Sequence, residues 1–177
     1  MLTIVIPETE FYDEIKNEFK VVKEQKLVLE HSLVSLSKWE SKWHKPFLGK
    51  QPKTYEETID YIRCMTVNSV DPMAYQGITS ANILQINQYI EDPMTATTIK
   101  DQKKGKEEII TAEIIYYWMV ALNIPFECQK WHLNKLLTLI NVVNIKNKPA
   151  KKMSKKDVVS RNASLNAARR KALHTKG

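Results

Sequence analysis

The sequence predicts a mainly α-helical chain with a small N-terminal antiparallel β element, an α+β arrangement with a helical-hairpin core and a basic helical tail. Three observations predict it. Apolar residues recur at helical spacing over most of residues 29–143, whereas strand-like runs are confined to residues 1–30. Only four glycines are present, too few for the turns of an all-β sandwich. Charge is divided unevenly: residues 146–177 hold eleven Lys/Arg against Asp157 alone, net +10, whereas residues 1–145 hold 16 against 19 acids, net −3. A globular body, 1–145, and a basic tail, 146–177, helical on binding, are therefore expected. A body of this size can close a core without disulfides or metals.

In chain order, residues 2–6 form a β-prone run closed by Pro7, and residues 18–22 and 26–30 are two further candidate strands. A sheet this small needs a helix over its apolar face. From Ser32 the period changes: Leu29, Leu33, Leu36, Trp39 and Trp43 fall on one helical face, and Pro46 and Gly49 end that helix. Thr54-Tyr55-Glu56-Glu57 is a capping box opening a helix to about Met65 with Ile59, Ile62 and Met65 inward. Asp71-Pro72 marks a turn, and Thr79 caps a helix to Ile90 carrying Ile83, Ile86 and Ile90. Residues 91–107 form a long polar loop.

Thr111 opens a helix over 112–122 that is apolar nearly all round, which predicts burial on several sides. After Asn123 to Pro125 a second helix is expected over 127–143, with Trp131, Leu136, Leu139, Ile140 and Val143 inward. The short connection makes the pair antiparallel neighbours and the expected centre of the core. Beyond Pro149, Ser154-Lys155-Lys156-Asp157 caps a tail helix to about Leu173, whose apolar stripe of Val158, Leu165, Ala168 and Ala172 is thin.

Chemistry is sparse in this pattern. No glycine-rich phosphate loop, metalloprotease pair or nucleophile elbow is present, so no catalytic residue and no cofactor is expected. His31, His44, His132 and His174 lack ligand spacing, so no metal is expected. Cys128 and His132, four apart in the expected helix, lack an orienting acid for a nucleophilic pair. Cys64 and Cys128 are expected to be free thiols in a reducing cytoplasm, because the start predicts no export leader and no run is long enough to cross a membrane. The tail leaves three readings open: docking on an acidic protein surface, nucleic-acid contact through counterion release, or a solvated arm. Its lack of an aromatic residue and the acidic body weigh against nucleic acid.

Two blocks carry a resemblance. One is Leu29 to Trp43 with Lys45-Pro46-Phe47; the other runs from Ile114-Ile115-Tyr116-Tyr117-Trp118 through Pro125-Phe126-Glu127 to Trp131-His132-Leu133-Asn134. With Asn166-Ala167-Ala168-Arg169-Arg170, they resemble the tail assembly chaperones of long-tailed (siphovirus-type) bacteriophages and prophages of low-GC bacteria. The resemblance implies a non-catalytic protein of the host cytoplasm that binds the tape-measure protein, and possible contact with the tail tube protein, before the tube polymerises. Trp39, Trp43, Arg169 and Arg170 are the candidate partner-binding residues. The alternatives are a structural virion component of the tail or neck, and nucleic-acid binding through the tail.

Overall fold

Alternation places Ile4, Ile6, Leu27 and Leu29 on one face of a hairpin, and in the computed structural model that face is buried. Residues 1–13, 17–99, 109–147 and 154–175 are described. Strands β1 (Leu2–Ile6) and β4 (Gln25–Leu29) pair antiparallel, as do β2 (Thr9–Asp13) and β3 (Glu18–Val22). Leu2 faces Leu29 and Thr9 faces Val22, so one register runs through both pairs and the interruption adds no residue to either arm. Pro7 lies at that interruption and has no N–H to give the ladder. The hairpin thus has four strands where the sequence predicts three; the addition is β2, whose acids Glu10 and Asp13 weaken its β signature.

Only the inner half of the hairpin is fully covered. Helix α2 (Tyr55–Met65) packs against β4 and α3 (Ser80–Glu91) against β1, as a sheet with one apolar face requires. The outer edge of β4 is closed by residues 65–68. Val67 donates to the Val28 carbonyl at 2.9 Å, and the Asn68 amide accepts from Val28 N–H and donates to the Lys26 carbonyl, both at 2.8 Å. An open edge is thereby finished by one side chain. A 3-10 helix, Pro72–Gly77, is capped by Asp71 where a simple turn was expected.

Helix α1 (Leu33–Trp43) buries Leu33, Leu36 and Trp39, and packs against α2 and α4 (Ala112–Ala121). Ser32 and Ser35 form its capping box, and His44 ends it in the left-handed conformation before Pro46 is reached. The expected helix over 127–143 is corrected. Phe126–Lys130 is a 3-10 helix, and α5 spans Leu133–Asn147. The break falls at the antiparallel bridge between Ser32 and His132, where the Leu133 N–H donates to the His31 carbonyl at 2.9 Å. That bond holds 131–132 extended, so the helix starts after it. Trp131 consequently lies outside the helix and is 38% exposed, whereas Leu136 and Ile140 are buried as expected.

The chain divides into two compact units, Met1–Ile145 and Lys146–Gly177. The second contains α6 (Lys155–Leu173), capped by the Ser154 hydroxyl accepting from Asp157 N–H at 3.1 Å. Residues 100–107 of the expected polar loop lie outside the described residues.

Candidate protein-binding surface

Trp39 and Trp43 occupy successive turns of α1 with rings stacked at 6.2 Å, but they meet different surroundings. Trp39 is 1% exposed, and its indole N–H donates to the Glu57 carbonyl at 2.8 Å. Its surface is spent on the core, and it offers none to a partner. Trp43 is half-buried and donates to Asp60 at 2.9 Å. It lines an open groove of about 390 Å³ with Tyr55, Ile59 and Tyr75, over whose ring Arg63 lies at 5.1 Å.

Three buried carboxylates near this groove, Glu57, Asp60 and Glu40, are engaged. Glu57 accepts from Lys45 at 2.5 Å and from Thr54 N–H at 2.8 Å, completing the capping box that opens α2. The Lys45 bond, then the Thr54 bond, hold its carboxyl below the usual range. Asp60 pairs with Lys42 besides Trp43. Glu40, also buried, accepts from Phe47 N–H and from Ala112 N–H, each at 2.7 Å. Ala112 is the first residue of α4, and Thr111 makes no side-chain cap there. Helix α4 is thus capped in trans by an acid 72 residues earlier. No local motif announces such a cap.

Helix α4 departs most from expectation. Its composition predicted burial on several sides, yet only Ala112, Ile115 and Met119 are buried. Ile114, Tyr116 and Trp118 are half-covered, and Tyr117 and Val120 are 68% and 60% exposed. Glu113, Tyr117, Val120 and Ala121 recur at helical spacing and form one outward face. At its C-terminal end Tyr116 meets Phe126, itself 54% exposed, at 6.4 Å, and bonds Gln129 at 3.0 Å. Isolated exposed apolar residues need no explanation, but a helical row of them does.

Two of the four histidines, His31 and His132, form a structural joint. His31 Nδ1 lies 2.6 Å from the Tyr61 hydroxyl, its ring meets that of His132 at 5.0 Å, and His132 Nε2 bonds the Tyr89 carbonyl at 2.9 Å. Burial, with His132 alongside, pushes the His31 pKa down to about 3; burial also lowers that of His132 and raises that of Tyr61. Asn134 closes the joint by donating to the Ile90 and Asp92 carbonyls at the end of α3, each at 2.8 Å. Cys128 is buried in the 3-10 helix and His132 precedes α5, so they do not share the single helix expected of them. Among the described residues no group of three or more His, Cys, Asp or Glu could hold a metal, and no helix is long and apolar enough to cross a membrane.

Arg169 and Arg170 lie in the last turns of α6, and every residue of that helix is exposed. They therefore stand in a different unit from the tryptophans. No protein-family model, no curated protein and no solved structure matches the chain.

Proposed function

We propose that the chain is a non-catalytic assembly protein of long-tailed bacteriophages. It acts in the host cytoplasm by holding the tape-measure protein until tube subunits polymerise around it. The observation that carries the protein-binding part is the outward face of α4, where Tyr117 and Val120 stand uncovered on a firmly seated helix. The resemblance of the blocks around Trp39 and Trp131 supplies the phage-tail part. A tape-measure protein is a long, largely helical chain with apolar stripes exposed before its tube exists. A helix of that kind laid against an apolar helical face is a common recognition mode. Trp43, at the rim of its groove, supplies a second apolar contact.

The test is co-expression with the neighbouring tape-measure protein, pull-down, and mass spectrometry of mature particles. Tyr117→Asp with Val120→Asp is expected to cut capture at least tenfold. Because both sites are exposed, it should change stability by no more than about 0.5 kcal/mol each. Capture by wild type with absence from the particle supports the proposal. Presence in particles at fixed stoichiometry without capture overturns it in favour of a virion component.

A further inference from the structure

The C-terminal helix carries chemistry that the α4 face does not use. Helix α6 runs for 19 residues, buries none of them, and holds six Lys/Arg against one Asp. At 100° per residue, Asn162 and Asn166 lie about 40° apart, with Arg169 about 20° beyond the first and Arg170 about 40° beyond the second. Two amides thus sit at the centre of one face with a guanidinium on either flank. Val159 and Leu173 fall on the same face near the two ends of the helix, away from the amides.

We propose that α6 is a duplex-DNA-binding helix, with the Asn162–Asn166–Arg169–Arg170 face laid into the major groove. This is independent of the protein-binding face on α4.

Three features favour DNA over an acidic protein surface. A helix that docks in a protein groove needs large apolar anchors at successive turns. The large apolar residues of α6 are Val158, Val159, Leu165 and Leu173, which do not recur on one face at successive turns, and the stripe of Val158, Leu165, Ala168 and Ala172 has Arg161 inside it. Its cations are also spread around the axis, as suits two walls of phosphate rather than one flat acidic patch. Finally, asparagine is a poor helix former, and two on one exposed face, a turn apart, have no helix-stabilising purpose. Asparagine amides do match the donor–acceptor pair of adenine in the major groove, and arginine matches guanine or phosphate. The missing aromatic counts against single strands, which bind by stacking, and not against a duplex. Double-stranded RNA is excluded sterically, because its major groove is too narrow for a helix.

The experiment uses the full chain and a labelled random-sequence duplex, with affinity measured by fluorescence anisotropy between about 50 and 200 mM salt. If about four of the cations meet phosphates, log affinity against log salt should fall with a slope of about −3.6. Arg169→Ala with Arg170→Ala should bring that slope to about −1.8. Asn162→Ala with Asn166→Ala should leave the slope unchanged and lose any sequence preference found by selection from a random pool. Far-UV circular dichroism on each variant checks that the helix remains. Absence of duplex binding at the lowest salt overturns the proposal, as does equal affinity for single strands. Poly-glutamate competing as well as duplex overturns it in favour of an acidic protein surface, and unchanged binding by the double arginine variant overturns it outright.

Discussion

Removing the Glu40 carboxylate tests how α4 is held. Its two oxygens accept from the Phe47 and Ala112 N–H groups, each at 2.7 Å, and the acid is 7% exposed. Glu40→Ala strands both donors in the core. Each stranded donor costs roughly 1–3 kcal/mol. Loss of a negative charge at a helix N-terminus adds about 0.3–1 kcal/mol. A loss of about 2–7 kcal/mol is therefore expected, a large part of a domain stability of about 5–15 kcal/mol. Glu40→Gln retains one acceptor but turns its NH₂ towards the other donor, and should lose roughly half as much. Urea unfolding followed by tryptophan fluorescence gives both numbers. Amide exchange at Ala112 and Phe47 locates the effect, since those two should lose protection first. A Glu40→Ala loss below about 1 kcal/mol, or a glutamine variant as stable as wild type, would refute the two-acceptor account.

Two further predictions follow from the packing. Neutral His31 is favoured in the fold because its pKa falls from 6.5 to about 3. A depressed folded pKa means that this stability is present above pH 6.5 and is lost as pH falls towards 3, at up to about 1.4 kcal/mol per pH unit. His132 adds to the same trend, since its Nδ1 is buried without a partner and protonation would put an N–H there. Urea midpoints at pH 7.5, 5.5 and 4.5 should therefore fall more steeply for wild type than for His31→Gln, and parallel curves would contradict the assignment. At Gly77 an added Cβ would sit 2.9 Å from Ile6 Cγ2 and 3.1 Å from Thr9 Oγ1. Gly77→Ala should cost about 1–3 kcal/mol, read from the same unfolding curves; a variant as stable as wild type would show that the hairpin yields.

Much of the fold was legible because local rules and tertiary packing agree. Capping boxes at Thr54 and the stripe Ile59, Ile62, Met65 gave α2 its start and inner face, and Ser154 did the same for the start of α6. Where long-range bonds decide, local pattern failed. The start of α5 is set by the His31 carbonyl, a hundred residues earlier, and no periodicity encodes that. The cap of α4 comes from Glu40, which sequence reading has no reason to separate from an ordinary surface acid. For the candidate surface, the Trp39–Trp43 spacing identified an apolar stripe correctly as one face, but spacing does not say which end of a stripe reaches solvent. Trp39 sits mid-helix over α2, and Trp43 sits at the end, where the chain turns away. Apolar residues all round α4 signalled something unusual. With only 145 residues in the body, too few elements exist to cover all its sides, and one remains outward.

The two surfaces differ in how they meet the cost of binding. Helix α4 is fixed on its inner face by Ala112, Ile115 and Met119 and at its first amide by Glu40, so its outer residues are ordered before any partner arrives. A partner laid on Tyr117 and Val120 gains apolar contact without ordering the receptor, and contact of that kind is little weakened by salt. Helix α6 buries nothing, and short helices without packing are marginal in water, so part of its ordering falls on the binding event. Only a ligand of high charge density supplies attraction large enough to offset that, and such attraction is screened by salt. Capture through α4 and binding through α6 should therefore separate along a salt gradient, with the first persisting where the second is lost. A single shared ligand spanning both units would instead make them fall together.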